Sequence, residues 1–179
     1  GGNAGFAAVY AANKLGVTVT IVLPETASPQ ARAAIEARGA VVHVHGASFD
    51  DAHAYAVALV ADRPSAAHVH PFDDPDLWEG NATLIDEVVR AGTAFDCVIT
   101  SVGGGGLLAG IALGLERNGL SHVPIIAVET EGAASLGASV AAGHLVTLPA
   151  ITSIANSLGA RTAAQRALDL VRSRPVTCT

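Results

Sequence analysis

Four consecutive glycines, Gly103–Gly106, form the part of the sequence best suited to chemistry. They follow an apolar segment typical of a buried strand and precede a second one, Leu107–Arg117, typical of a helix. N–H groups at the start of a helix have no partner within it and carry the positive end of its dipole. Glycine places no side chain between those groups and an anion. The pattern predicts a backbone site for phosphate, and the plainer alternative is a flexible turn.

The spacing of these glycines excludes two common phosphate loops. Counting from Gly103, the third glycine of the dinucleotide fingerprint would fall on Leu108. No Lys-Ser or Lys-Thr pair follows the glycines, so the segment is not a Walker loop either.

A second segment with ligand-binding character stands at the beginning, Gly2-Asn3-Ala4-Gly5. Its small residues would let a ligand approach the backbone, and the Asn3 amide offers both a donor and an acceptor. A plain helix cap at Asn3 explains the segment equally well, so alone it is a weak signal.

Apolar stretches alternate with helical segments along the chain, as expected of βαβ units. Half of the residues are hydrophobic and 15% are charged, which is enough to bury a sizeable core. The pattern predicts an α/β fold of parallel sheets flanked by helices. Strands are predicted at Val17–Leu23, Ala40–His45, Ala67–His70, Asp96–Val102 and Pro124–Glu129. Helices are predicted at Ala4–Leu15, Ser28–Arg38, Phe49–Asp62, Asp76–Arg90, Leu107–Arg117, Gly132–Ala142 and Arg161–Arg172.

Charge and cysteine content exclude several classes of partner. The net charge is −6 and the only lysine is Lys14, so no basic stripe exists for nucleic acid or an acidic membrane surface. No apolar stretch reaches transmembrane length. Two cysteines, Cys97 and Cys178, do not make a disulfide framework, and a cytoplasmic location is expected.

Two clusters of polar residues have alternative explanations. His43 with His45, and His68 with His70, alternate along predicted strands and could together hold zinc, but a polar strand face is the plainer explanation. The aspartates around Pro75 suggest an acid/base or calcium site, yet turn and helix-cap chemistry explains them better.

Four segments occur in the order and spacing of one enzyme family. They are Gly2–Gly5, Pro71–Pro75, Ser101–Gly106 and Val128–Thr130. On these motifs the sequence resembles the fold-type-II pyridoxal-phosphate (PLP) enzymes, which are similar to the tryptophan synthase β chain. It resembles most the L-serine/L-threonine dehydratases (ammonia-lyases), and the resemblance extends over essentially the whole chain.

The resemblance implies PLP as cofactor and assigns a role to each matching position. The cofactor phosphate is expected at the backbone of Gly103, Gly104, Gly105, Gly106 and Leu107. Asn3 is expected to hydrogen-bond the 3′ oxygen of the pyridoxal ring. The substrate carboxylate is expected at Gly1, Gly2, Ala4 and Gly5, and Phe72 is expected to line the site. A monovalent cation, K⁺ by family precedent, is expected at Gly103, Glu129, Ala133, Ser135, Leu158 and Ala160. For Glu129 the alternative is a solvated strand end.

The sequence departs from the family at two places. Serine usually stands where Gly1 stands here. The lysine that binds the cofactor covalently is expected before residue 1, and Lys14 is interpreted as a solvated helix residue. The chain is therefore expected to be a fragment, with residues 1–74 from the small domain and residues 75–179 from the large PLP-binding domain.

The implied function is deamination of L-serine, L-threonine or both to a 2-oxo acid and ammonia. The full-length parent is expected to be a homodimer, and the fragment alone is expected to be inactive. Serine racemase or another fold-type-II enzyme is an alternative. A non-catalytic protein that binds PLP or phosphate is another.

Overall fold

The computed structural model describes residues 2–155 and 158–179, which form two compact units that divide between Val69 and His70. The first unit contains α1 (Gly2–Leu15), β1 (Thr20–Leu23), α2 (Pro29–Glu36), β2 (Val41–Val44) and α3 (Phe49–Ala61). The second unit contains α4 (Pro75–Arg90), β3 (Val98–Ser101), α5 (Gly106–Arg117), β4 (Ile125–Val128), α6 (Ser135–Ala142), α7 (Gln165–Ser173) and β5 (Val176–Cys178). The predicted division into small and large domains stays a prediction, with its boundary five residues later than that of the compact units.

The first unit has a two-stranded parallel sheet, in which Thr20 pairs with Val41 and Leu23 with Val44. Its small core is formed by Val9, Leu23, Ile35 and Ala40. Local sequence explains the start of α2, because the hydroxyl of Ser28 accepts a hydrogen bond from the N–H of Ala31 at 3.1 Å and Pro29 occupies the first helical position.

The second unit has a three-stranded parallel sheet in the order β3-β4-β5. Helix α5 connects β3 with β4, and α6 and α7 lie between β4 and β5 in the chain. The α5 residues Leu108, Ile111 and Leu115 are buried in a core shared with β4 and α7. Because the strands are parallel, β3 and β4 both run into the loops that precede α5 and α6 at one edge of the sheet.

The α/β fold with parallel sheets flanked by helices is confirmed, and the differences concern short elements. The predicted strand Ala67–His70 is wrong: these residues have no strand pairing in the described part of the chain. They follow a turn in which Ala66 N–H donates to the carbonyl oxygen of Arg63, and only one residue of the four is β-branched. Strand β5 was not predicted, since three residues after a proline give no clear period.

Two predicted helices begin later than expected. Helix α6 begins at Ser135 rather than at Gly132. Gly132 has a φ of +80°, which is incompatible with a right-handed helix. Helix α7 begins at Gln165 rather than Arg161, whose guanidinium donates to the carbonyl oxygen of Leu148 at 2.8 Å and holds two loops together. None of the described helices is long and apolar enough to cross a membrane.

Candidate active site

The glycine loop lies between β3 and α5 and presents backbone donors. Val102 N–H still donates to the carbonyl oxygen of Val128 at 2.8 Å, so the loop begins directly after the paired strand. Gly105 then takes the N-cap position of α5 with a φ of +94°, a backbone conformation that favours glycine, and provides no side-chain cap. Within the described residues, no hydrogen-bond acceptor faces the N–H groups of Gly103–Leu107. The loop therefore offers a set of unpaired donors at a helix N-terminus, as an anion requires.

Close packing explains why glycine stands at each position of the loop. A Cβ atom on Gly103 would lie 1.9 Å from the carbonyl oxygen of Leu158, and one on Gly104 would lie 2.2 Å from Cγ of Phe72. A Cβ on Gly106 would lie 2.6 Å from the carbonyl oxygen of Phe72. The carbonyl oxygen of Gly104 also accepts the N–H of Ala164 at 2.9 Å. The loop is thus held on both sides, which argues against a flexible turn.

Phe72 lies against this loop, as expected of a residue that lines the site. Its ring covers Gly104 and its backbone covers Gly106. The indole Nε1–H of Trp78 donates to the carbonyl oxygen of Phe72 at 2.8 Å. The N–H of Phe72 donates to Nδ1 of His70 at 3.3 Å. Phe72 is therefore held by a helix on one side and an imidazole on the other.

Helix α4 supports the loop through Asn81, a residue that the sequence alone did not single out. The side-chain amide of Asn81 donates to the carbonyl oxygen of Gly106 at 3.3 Å. Gly110 lets α5 approach α4 closely, because a Cβ there would lie 2.3 Å from Cβ of Asn81 and 2.8 Å from the carbonyl oxygen of Trp78. The spacing of Trp78 and Asn81 by three positions, on one face of a helix, was the available signal.

Glu129 follows β4 and binds the beginning of α6. Its Oε1 accepts the N–H of Leu136 at 2.8 Å, and its Oε2 accepts the N–H of Gly137 at 2.6 Å. Burial raises the pKa of the Glu129 carboxyl above its ordinary value, while these two hydrogen bonds act in the opposite direction. The description of Glu129 as a solvated strand end is therefore wrong.

The remaining positions predicted to bind a cation lie in the same unit, Ser135 at the start of α6 and the others on loops. The hydroxyl oxygen of Ser135 is fully buried and has no hydrogen-bond partner within the described residues. The carbonyl oxygen of Ala133 accepts the N–H of Ser135 at 3.0 Å, and the carbonyl oxygen of Leu158 lies against Gly103. Ala160 is half-buried. A buried hydroxyl with no partner among the described residues, directly before the two N–H groups that the Glu129 carboxylate accepts, fits a hard cation that prefers oxygen ligands.

The predicted substrate segment lies in the first unit. Gly1 is outside the described residues, and Gly2, Asn3 and Ala4 form the first turn of α1, with Asn3 and Ala4 exposed. Gly5 is buried, and a Cβ there would lie 2.9 Å from Cδ1 of Ile35. Gly5 is thus also required for packing of α1, a constraint that the motif did not reveal. The roles of this segment in binding the cofactor and the substrate carboxylate stay predictions.

The histidines proposed for zinc contact aromatic side chains. Nδ1 of His43 lies 3.2 Å from the Tyr55 hydroxyl, and the His45 ring stacks on Tyr55 with ring centroids 4.3 Å apart. In the part of the chain that the structure describes, no group of three or more His, Cys, Asp or Glu residues is arranged to hold a metal ion. The aspartate cluster acts as a helix cap, since Oδ1 of Asp74 accepts the N–H of Asp76 at 3.0 Å.

Comparison with known proteins assigns the family. The sequence profile of the family described as "Pyridoxal-phosphate dependent enzyme" matches residues 1–177. The chain belongs to this family. The glycine loop thus lies in a fold-type-II PLP protein, and its role in binding the cofactor phosphate stays a prediction.

Several curated relatives have names that refer to serine dehydratase. The chain is 51% identical over 173 residues to a rat protein named "Serine dehydratase-like", covering 96% of this chain and 52% of the relative. It is 44% identical over 178 residues to human "L-serine dehydratase/L-threonine deaminase", covering 98% of this chain and 54% of that protein. The chain thus spans about half the length of the curated relatives it matches.

Solved structures agree on the fold. A fungal L-serine ammonia-lyase from Rhizomucor miehei superposes with a TM-score of 0.86 at 33% identity, over 99% of this chain and 56% of that one. Maize serine racemase superposes with a TM-score of 0.84 at 27% identity, over 97% of this chain and 52% of that one.

Proposed function

We propose that the full-length protein that contains this chain is a PLP-dependent ammonia-lyase. It deaminates L-serine, L-threonine or both to a 2-oxo acid and ammonia. The observation that carries the proposal is the closely packed glycine loop whose N–H groups face no acceptor in the described part of the chain. The names of the relatives, which include L-serine dehydratase, support the choice of reaction.

The residues of this chain would divide the binding of cofactor and substrate between them. The N–H groups of Gly103–Leu107 bind the phosphate, and Phe72 lines the site beside them. The Asn3 amide hydrogen-bonds the 3′ oxygen of the ring. The backbone at Gly1, Gly2, Ala4 and Gly5 receives the substrate carboxylate. When bound, PLP supplies a conjugated ring that withdraws electrons and makes the Cα proton of the substrate acidic.

The isolated chain is proposed to be inactive, because it contains no suitable amine. Lys14 is its only lysine. This residue is exposed, and its ammonium group lies 5.6 Å from the centre of the Tyr10 ring in a cation–π contact. An assay of residues 1–179 with L-serine and PLP is expected to give no pyruvate, whereas steady pyruvate formation would contradict this proposal.

A monovalent cation, with K⁺ as the first choice, is proposed to bind through Glu129 and Ser135 and through backbone oxygens at Gly103, Ala133, Leu158 and Ala160. The buried hydroxyl oxygen of Ser135, which has no hydrogen-bond partner among the described residues, and the carboxylate of Glu129 support it. K⁺ is expected to raise the thermal unfolding midpoint of the full-length protein relative to tetramethylammonium, which is too large for such a site. A Ser135→Ala variant is expected to lose most of that increase.

Product analysis tests the reaction. The full-length protein, with PLP and L-serine, is expected to release pyruvate and ammonia in equal amounts, and D-serine as a minor product at most. D-serine in excess of pyruvate would favour a racemase, which the likeness to maize serine racemase makes the second candidate. PLP binding without any product would favour a non-catalytic binding protein.

The same preparation would test the proposed homodimer by its mass in solution, and fractionation of cells would test the cytoplasmic location.

A further inference from the structure

His70 binds the turn that presents Phe72 to the glycine loop. Its Nδ1 accepts the N–H of Phe72 at 3.3 Å and the N–H of Asp73 at 2.9 Å. Acceptance from the residues two and three positions further on is the arrangement that an aspartate or asparagine side chain makes in an Asx turn. The imidazole therefore acts here as an Asx-like cap for the His70–Asp73 turn.

This arrangement determines which ring nitrogen of His70 carries the proton. Two N–H donors point at Nδ1, so Nδ1 must carry a lone pair and the ring proton must be on Nε2. A proton on Nδ1 would face both donors and break the cap. The ring also packs edge-on against Phe72, with centroids 4.5 Å apart, so that the cap and the aromatic contact hold the same residue.

Phe72 transmits the position of this turn to the phosphate-binding backbone. Cγ, Cδ1 and Cδ2 of its ring would all lie within 2.4 Å of a Cβ atom on Gly104, so that ring and backbone are in direct contact. The carbonyl oxygen of Phe72, which accepts from Trp78, lies against Gly106. A shift of the turn would therefore move two of the residues that offer N–H groups to an anion.

We propose that His70 is a positioning residue for the phosphate loop. Its Nδ1 lone pair holds the Phe72–Asp73 backbone so that the Phe72 ring and carbonyl keep Gly104 and Gly106 aligned on the phosphate. The inference rests on the proposed binding of the PLP phosphate at this loop. It assigns to His70 a role that acts through Phe72, without contact with the substrate.

Substitutions at one position separate this role from a general contribution to folding. In asparagine the side-chain oxygen is as many bonds from the backbone as Nδ1 is in histidine, so His70→Asn keeps the acceptor. In glutamine the oxygen corresponds to Nε2, so His70→Gln has the same functional group in the wrong place. His70→Leu removes the acceptor while keeping a side chain of similar bulk.

The test compares binding of PLP with binding of pyridoxal, which lacks the phosphate, to the apo form of the full-length protein. The affinity ratio reports on the phosphate loop alone. We expect His70→Gln and His70→Leu to lower the ratio about tenfold, the effect of losing one or two backbone hydrogen bonds. His70→Asn is expected to keep the ratio within about threefold of the unmodified protein, because a retained acceptor preserves the cap.

The outcomes separate failure of this inference from failure of the proposed function. If the unmodified protein binds PLP no better than pyridoxal, the phosphate site itself is wrong. If it prefers PLP, and His70→Gln and His70→Asn have the same ratio, the Nδ1 cap is overturned. A drop in the ratio for Gln and Leu with recovery for Asn supports it. Thermal unfolding midpoints of the variants identify any that fail to fold. If His70→Leu fails to fold, the comparison of His70→Asn with His70→Gln decides.

Discussion

Helices α5 and α6 begin at the same edge of one parallel sheet, yet their N-termini are completed in different ways. Helix α6 receives a carboxylate from its own chain, since Glu129 accepts the N–H groups of Leu136 and Gly137. Helix α5 begins with a left-handed Gly105 and no side-chain cap. No acceptor within the described residues faces its first N–H groups. The N-terminus of α6 is thus satisfied within the protein, whereas we propose that the N-terminus of α5 binds an external anion.

The difference indicates which helix N-terminus at this edge of the sheet is suited to bind an anion. Both helix ends have the dipole and the donors that attract an anion, so these features alone do not distinguish them. The distinction comes from neighbouring residues: a carboxylate that occupies one end, and a run of glycines that keeps side chains away from the other. An α/β sheet can thus present several helix ends at one edge and reserve one of them for a phosphate.

The largest effect is expected when the glycine loop is filled. In Gly104→Val the new side chain would overlap the Phe72 ring, which cannot move without disturbing Trp78. PLP affinity of the full-length protein is expected to fall by about 100-fold or more, in line with the loss of several charge-assisted hydrogen bonds. Fluorescence titration of the apo protein measures this.

Gly80→Ala is the matched control for that substitution. Gly80 lies in helix α4, and a Cβ there would meet nothing within 4 Å. This variant should bind PLP normally and be slightly more stable, by about 0.5–1 kcal/mol, because alanine favours a helix more than glycine does. Equal loss of PLP binding in both variants would show that the loop is not the phosphate site.

A second prediction concerns a carboxylate introduced at the N-terminus of α5, where it would act as Glu129 does at the N-terminus of α6. Leu107 lies in the first turn of α5 and is 37% exposed, so Leu107→Asp would place a carboxylate at the uncapped helix end. PLP affinity is expected to fall about tenfold through charge repulsion, while the apo protein gains about 0.3–1 kcal/mol from the helix dipole. Leu107→Asn controls for size and polarity. If the Asp and Asn variants bind PLP equally well, the free helix end is not what binds the phosphate.

A third prediction removes the internal anion of α6. Glu129→Ala leaves the N–H groups of Leu136 and Gly137 without their acceptor, so the free energy of unfolding is expected to fall by about 1–2 kcal/mol. Urea unfolding of the full-length apo protein, with tetramethylammonium as the only cation, measures this without a contribution from K⁺.

Glu131→Ala, which removes an exposed glutamate two residues further on, is the control and should change stability little. The preference for PLP over pyridoxal should persist in Glu129→Ala under the same conditions. If Glu129→Ala loses this preference yet unfolds like the unmodified protein, Glu129 contributes to phosphate binding rather than to the stability of α6, which would contradict the proposal.

The smallest effect concerns the N-terminus of α3, to which no ligand is assigned. Oδ2 of Asp51 accepts hydrogen bonds from the hydroxyl and N–H of Ser48, in a capping box at the start of α3. The Ser48 hydroxyl and backbone together hold the pKa of Asp51 below its ordinary value of 3.8. The ionised carboxylate therefore stabilises the folded state above pH 3.8, and this contribution is lost as the pH falls through the lower folded pKa.

Thermal unfolding of Asp51→Asn at several pH values measures that contribution. Its midpoint is expected to lie slightly below that of the unmodified protein at neutral pH, with the difference narrowing below pH 3.8. Asp62→Asn, at the other end of α3, controls for the change in net charge. A difference that grows on acidification would show that the cap does not depend on ionisation.

Much of the fold could be predicted because its determinants are close in sequence. The alternation of apolar strands with helices gave the α/β class, and the Ser28-Pro29 pair and Asp74 gave two helix starts. The predicted strand at Ala67–His70 was wrong because a short segment forms a strand only when a neighbour pairs with it. For the same reason β5 was missed, since its pairing with β4 decides it.

The candidate site also has features that the sequence predicts and features that depend on tertiary packing. The glycine run, its place between a strand and a helix, and the family motif were all determined by the sequence itself, because each depends on residues a few positions apart. The tertiary structure alone decided which helix end stays open. Glu129 reaches α6, Phe72 covers Gly104, and Leu158 covers Gly103 only because packing brings loops from separate parts of the chain together. Whether an N–H group lacks an acceptor depends on every residue that the fold brings near it, and a local sequence pattern cannot determine those neighbours.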